Sequence, residues 1–227
     1  MESNCLKLNL GVFDLHALIQ KAFGLVRHLA KDKNIALIAE VEDENLRHVF
    51  CFVNGDEGRY LQFLVNFLTN AFKFSNRNSK IKIKLKILEF QRKSKPILQV
   101  AEEGEEYFIS FLIIVKDYGT GIPMDKLNTL FLNFTRIEEN ALVNKDGVGL
   151  GLSICKDLIE QMGGSVKVES MPGKSTKFII QMNTTCKIKY SDLVEIQSLV
   201  HEDAPVYELS IQQIEELKQL ADEVSLS

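Results

Sequence analysis

Between residues 80 and 87 the chain reads KIKIKLKI, lysine alternating with isoleucine or leucine without a break. Successive strand side chains point to opposite faces, so this period of two describes a β-strand with one face in a core and one in water. The lysines then belong to a solvated sheet face, not to a nucleic-acid patch. The overall charge agrees: 27 basic against 31 acidic residues give a net charge of −4, with 45% apolar and 26% charged residues. That is the composition of an ordinary globular protein with no basic bias.

Around this strand the pattern alternates between periods. Residues 13–31 carry apolar side chains at 15, 18, 19, 22, 25, 26 and 29, a helical stripe with Asp14 placed to cap it. IALIAEV (35–41) and HVFCFV (48–53) read as strands, and NGDEG follows as a turn. A second amphipathic helix is expected over about 57–74, a polar insert over about 91–106, and a strand in YFISFLIIV. After KDYGTGIP the chain is expected to be helical and irregular to residue 146. SVKVES and STKFIIQM around MPGK then read as a closing hairpin.

At 227 residues the chain suits one substantial domain plus an appendage, or two small domains. The boundary is expected near 186: residues 1–186 form the main domain, and 187–227 a linker or tail with an acidic, proline-interrupted start. SIQQIEELKQLADEV there makes one short amphipathic helix, with Ser210 and Gln213 as a capping box. Cys5, Cys51, Cys155 and Cys186 form no C-x-x-C pair, which argues for reduced structural thiols and against a disulfide framework or a zinc site. Without a membrane-length apolar run or a signal-peptide profile, the expected location is cytoplasmic, with no membrane contact from this chain and a parent protein free to be anchored.

Three stretches carry chemistry. Asn66 and Asn70 lie one helical turn apart, with Lys73 on roughly the same side, offering amide oxygens for a hard cation and a charge for phosphate. Asp117 stands where the apolar strand ends, before YGTGIP, and could accept from an exocyclic amine. The third stretch, DGVGLGLSI, spaces Gly147, Gly149 and Gly151 on alternate positions ahead of a helical run. A helix start with unpaired N–H groups suits an anion, and glycine lets backbone come close to it. The glycine spacing fits neither a Rossmann fingerprint nor a Walker A loop. Read singly, each stretch has a plain alternative: surface amides with an extended lysine, a tight turn, a flexible loop before a core helix.

In order, NFLTNAFKFS, DYGTGIP, LFLNF and DGVGLGLSI closely resemble the N box, first glycine box, phenylalanine box and second glycine box of sensor histidine kinases. Those belong to the GHKL ATPase/kinase superfamily, and the resemblance runs from about residue 12 to 183. It implies a two-layer α/β sandwich, a mixed sheet backed by helices, holding ATP between the second helix and a lid over about 135–147. By the same resemblance Asn70 would ligate Mg²⁺, with Asn66 assisting, and Lys73 would contact phosphate oxygens. Asp117 would take the adenine amino group, Gly119 and Gly121 would admit the base, and Thr176 would support it through water. Gly147, Gly149, Gly151 and Leu152 would line the phosphates, and Arg136 in the lid would reach the γ-phosphate.

Hydrolysing members of the superfamily carry a glutamate one turn before the metal-binding asparagine. Here that position is Asn66, which cannot serve as a base. The resemblance therefore implies a kinase that transfers the γ-phosphate to a histidine on a helical dimerisation domain, with a response regulator downstream. A nucleotide-binding scaffold and a serine or mitochondrial-type kinase are the alternatives. His16, His28 and His48 lack the acceptor pattern, and the proline of HEDAP at His201 comes one residue early, so the acceptor is expected on another segment and this chain as a monomer. Leu132 and Asn133 in the phenylalanine box, and Lys174 where glycine is usual, depart from the family pattern.

Overall fold

The computed structural model describes residues 7–93, 105–127, 129–131 and 151–188. The lid, Arg136, Gly147, Gly149, His201, Cys5, the middle of the polar insert and the acidic tail lie outside these residues. A short strand β1 (Gly11–Phe13) leads into α1 (Leu15–Lys33), whose first turn is capped by Asp14 accepting from the Ala17 N–H. The eight-residue alternation of lysine with isoleucine or leucine becomes part of β4 (Lys80–Arg92), with Ile81, Ile83 and Leu85 buried and the lysines outward. Parallel to it runs β2 (Ala36–Val41), and antiparallel to it β5 (Glu105–Asp117).

HVFCFV is mostly not a strand. Residues Glu44–Phe52 form a 3-10 helix capped by Asp43, and only Val53–Gly55 extends as β3. The physical reason lies in spacing: Leu46, Val49 and Phe52 recur at i and i+3, the 3-10 period, and all three meet the core. Helix α2 (Glu57–Phe74) matches its expected range. Asp56 caps it by accepting from the Arg59 N–H, and Tyr60, Phe63, Leu64, Phe67, Leu68, Ala71 and Phe72 bury its inner face. Ser75 ends the helix in extended backbone and bridges to Gly119.

The polar insert is shorter than expected. Arg92 still pairs with Tyr107, the Phe90 and Tyr107 rings stack at 4.5 Å, and the Lys93 N–H donates to the Glu106 carbonyl at 2.9 Å. Polar residues at a hairpin end keep their backbone ladder, which composition alone does not reveal. One short helix, α3 (Met124–Leu127), follows the first glycine loop, and α4 (Gly151–Gln161) follows the second. The hairpin of β6 (Ser165–Met171) and β7 (Ser175–Ile188) closes the sheet, with Gly173 at φ +73° in its turn. β7 runs two residues past the expected boundary because its last residues pair with Glu105 and Glu106.

The sheet order is β1-β3-β7-β5-β4-β2, with β6 also on β7, so a mixed sheet is backed by α1, α2 and α4 on one face. This is the α/β sandwich expected from the sequence. Inward residues of β4, β5 and β7 meet the helices in one core, including edge-on contact of Phe50 with Phe111 and tilted contact of Phe67 with Phe178. Cys155 and Cys186 are buried there and form no disulfide, their thiols pushed up by burial to about 11 and about 12, and Cys51 is half-buried. His16 packs edge-on against Phe50 and contacts the Arg47 carbonyl at 3.2 Å, a structural place. Among the described residues no helix is long and apolar enough to cross a membrane.

Candidate functional site

The chemistry-bearing stretches meet around the C-terminal third of α2. Asn70 faces Asn66 one turn earlier and donates from Nδ2 to its Oδ1 at 3.2 Å. That bond engages the amide nitrogen and leaves Asn70 Oδ1 without a donor among the described residues. Asn66 has an employment that the sequence did not suggest. Its Nδ2 donates to the Gly151 carbonyl at 2.8 Å and to Cys155 Sγ at 3.1 Å, so its amide clamps the start of α4 to α2. With both donor hydrogens and one of two acceptor sites engaged, Asn66 positions the start of α4 against α2. Gly151 is glycine for the same reason: a Cβ there would sit 2.9 Å from the Asn66 amide atoms. Leu152, next in the helix, packs partly into the core.

Lys73, half-buried on the last turn of α2, holds its ammonium 5.6 Å from the centre of the Phe74 ring. The carbonyls that end this helix are held from α1 and from the first glycine loop. Lys33 Nζ donates to the carbonyls of Phe72 at 2.7 Å, Lys73 at 3.1 Å and Ser75 at 3.2 Å. A cation at a helix C-terminus meets both unpaired carbonyls and the negative end of the dipole. The remaining carbonyl, of Phe74, accepts from the Thr120 N–H at 3.2 Å.

That contact explains Gly119. A Cβ there would lie 2.0 Å from the Phe74 carbonyl oxygen, so the loop docks on the helix end only with glycine. At Gly121, φ is +67° and a Cβ would lie 2.2 Å from the Met171 carbonyl oxygen. Both glycines answer to the protein's own backbone, whereas the sequence expectation tied them to room for a flat base.

Asp117 closes β5 opposite Thr176 of β7, only 3% exposed. Its Oδ1 accepts from the Gly119 N–H at 3.1 Å and the Thr176 N–H at 3.3 Å. Both bonds fall on one oxygen, leaving Oδ2 without a donor among the described residues. Burial pushes this carboxyl up to about 6, and the two N–H donors only partly offset it. A buried carboxylate with one unserved oxygen can take a hydrogen bond from a ligand N–H. Thr176 is buried beside it, its hydroxyl 3.1 Å from Ser170 Oγ.

Two contributors escaped the sequence reading. Ser170 Oγ donates to the Ser175 carbonyl and accepts from the Ile122 N–H at 2.8 Å, tying the loop after Asp117 to the hairpin. Lys33 is the other, and nothing in a basic residue ending a helix tells which carbonyls it will meet. Ser75 Oγ, next to the loop contact, is buried without a partner among the described residues, a place for a water or ligand atom. Among the described residues no three His, Cys, Asp or Glu side chains gather to hold a metal. Asn70 Oδ1 is a hard oxygen donor that suits Mg²⁺ only when most of the remaining ligands come from phosphate and water.

Residues 55–185 match the family model described as histidine kinase-, DNA gyrase B- and HSP90-like ATPase. The chain belongs to that family. Its relatives there include sensor histidine kinases. It is 36% identical over 146 residues to hybrid signal transduction histidine kinase B of Dictyostelium discoideum, covering 62% of this chain and 7% of that protein. Identity to the sensor histidine kinase GacS of Pseudomonas protegens is 30% over 184 residues, covering 81% of this chain and 18% of the relative. The chain thus spans less than a fifth of the curated relatives it matches. The crystal structure of full-length ShkA in complex with AMPPNP shares the fold, with a TM-score of 0.60 at 24% identity over 82% of this chain and 34% of that one.

Proposed function

We propose that this chain binds ATP with Mg²⁺ and donates the γ-phosphoryl group to a histidine on a helical dimerisation domain, as the catalytic part of a two-component sensor kinase. The observation that carries this is Asp117: a carboxylate buried at a strand end, saturated on one oxygen and open on the other, beside a glycine loop docked on the end of α2. The adenine amino group supplies the missing donor. Asn70 Oδ1 and Lys73 then lie along the same helix for the triphosphate side. Mg²⁺, when bound, neutralises phosphate charge and orients the γ-phosphate.

In transfer the acceptor imidazole nitrogen forms the new bond to phosphorus as the bond to the β,γ-bridging oxygen breaks, and ADP leaves with that electron pair. This chain's share is positioning. Asn66 anchors the phosphate-side helix, and as an amide it offers no base to activate water, which favours transfer over hydrolysis. Gly147, Gly149 and Arg136 complete the phosphate side in this reading, a response regulator receives the phosphoryl group in turn, and the location is cytoplasmic. The test is phosphotransfer from γ-labelled ATP to a supplied histidine-bearing helical domain. Label on the acceptor that disappears with Asn70→Ala supports the reading. Binding without transfer to any such domain would reduce the chain to a nucleotide-binding module.

A further inference from the structure

The face of the sheet opposite the helices has no layer of its own among the described residues. Its middle is largely apolar: half-buried Ile114 of β5 pairs with Ile179 of β7, half-buried Leu112 stands opposite Gln181, and beyond Ser110, which Gln181 reaches at 3.2 Å, Phe108 is 39% exposed. Its borders are cationic. Lys80, Lys82, Lys84 and Lys86 of β4 line one side, with Lys116 and Lys177 across one end. Glu40 pairs with Lys82 at 2.9 Å, Glu42 with Lys84 at 2.6 Å and Lys86 at 2.7 Å, and Glu169 with Lys177 at 2.6 Å. Three carboxylates thus stand against these six ammonium groups. Lys80 and Lys116 instead lie 5.1 Å and 4.9 Å from the Tyr118 ring centre. The face therefore keeps a positive surplus around an apolar strip.

The charge that would balance it lies in the same chain. Residues 189–227 hold nine of the 31 acidic residues but only two of the 27 basic ones, a net charge of −7 that leaves +3 for residues 1–188. Within them Ile211, Ile214, Leu217, Leu220 and Val224 form the apolar stripe of an amphipathic helical pattern, flanked by Glu215, Glu216, Asp222 and Glu223. An apolar stripe edged with carboxylates complements an apolar strip edged with ammonium groups.

The chain can reach. β7 ends at Ile188 beside Glu105, at the end of the sheet remote from Asp117. The 22 residues from 189 to 210 can extend over up to about 70 Å, against roughly 43 Å for the 13-residue β5. We propose that the acidic segment 211–224 lies on this open sheet face of its own chain, its apolar stripe on the Leu112–Ile114–Ile179 strip and its carboxylates among the β4 and β5 lysines. The proposal does not depend on nucleotide binding.

The test is zero-length carbodiimide cross-linking of the full chain, as an equal mixture of unlabelled and ¹⁵N-labelled protein, read by mass spectrometry. The expected products join Lys84, Lys86 or Lys116 to Glu215, Glu216, Asp222 or Glu223 within a single isotopic form. Their yield falls about fivefold when ionic strength rises to about 0.5 M, where screening shortens to roughly 4 Å. The yield falls as far in Leu217→Ser/Leu220→Ser, which keeps every lysine and carboxylate and leaves the sheet untouched. Links spread equally over Lys7, Lys21 and Lys31 would overturn the proposal. So would links of mixed isotopic composition, which make the occupant a second copy. Absence of links together with salt-sensitive binding to phosphatidylserine vesicles would overturn it too, making the occupant a lipid surface.

Discussion

Replacing Asp117 by asparagine is expected to stabilise the fold while removing its ligand chemistry. Burial holds this carboxyl at about 6 in the folded protein, against 3.8 when unperturbed. Below about pH 4 the group is protonated in both states and costs nothing. From there to pH 6 the folded state binds more proton than the unfolded state, so stability falls as pH rises. Above pH 6 the loss is constant. A shift of that size corresponds to about 3 kcal/mol at neutral pH. Asparagine keeps Oδ1 as acceptor for the Gly119 and Thr176 N–H groups but leaves an amide NH₂ buried at the Oδ2 position, which costs about 1 kcal/mol or more. The variant is thus expected to be about 1–2 kcal/mol more stable at pH 7.5, or roughly 2–8 °C in Tm for a chain of this size. Urea denaturation of both proteins at pH 4 and pH 7.5 reads it out. A variant less stable at pH 7.5, or a gap that does not change with pH, would refute the reasoning.

Other outcomes follow from the same contacts. Nucleotide affinity should be level above about pH 7 and decline below about pH 6, by up to tenfold per unit once Asp117 in the free protein is protonated, as read by titration across pH. Gly119→Ala forces a methyl into the Phe74 carbonyl, so urea denaturation should show a loss of about 1–3 kcal/mol, with weakened nucleotide binding beside it. Asn66→Ala leaves the Gly151 carbonyl without its donor, at a cost of about 1–3 kcal/mol, and hydrogen exchange should quicken in the first turn of α4 but not in α1. Lys33→Met removes the donor shared by three helix-end carbonyls, and should weaken nucleotide binding although the side chain lies on a different helix from Asn70.

Where periodicity was long and unbroken, sequence and structure agree closely. α2 has its expected limits, and β4 keeps isoleucine and leucine inside with lysine outside. Residues 44–52 misled because β-branched and aromatic residues favour strands, while the spacing of Leu46, Val49 and Phe52 serves a 3-10 helix. β1, three residues long, carries too little pattern to read. At the site, residue types were legible but employment was not. Asn66 stands out in the sequence because it lies one turn from Asn70, but its clamp on α4 is not legible there, because the partner carbonyl comes from residue 151. The reasons for Gly119 and Gly121 are likewise tertiary, set by carbonyls of Phe74 and Met171. Lys33 and Ser170 act on backbone groups far along the chain, which no local pattern records.

The most direct measurement is calorimetric titration of the full chain with Mg²⁺ and a non-hydrolysable ATP analogue, beside Asp117→Asn and Asn70→Asp. The wild type is expected to bind one nucleotide per chain. Asp117→Asn, which turns an acceptor toward the adenine amine into a donor, should lose about 1.5–3 kcal/mol, roughly tenfold or more in affinity. Asn70→Asp should weaken binding by setting a carboxylate among the phosphates. A folded wild type that binds nothing, or an Asp117→Asn chain that binds as tightly as the wild type, would contradict the assignment of the nucleotide to this site.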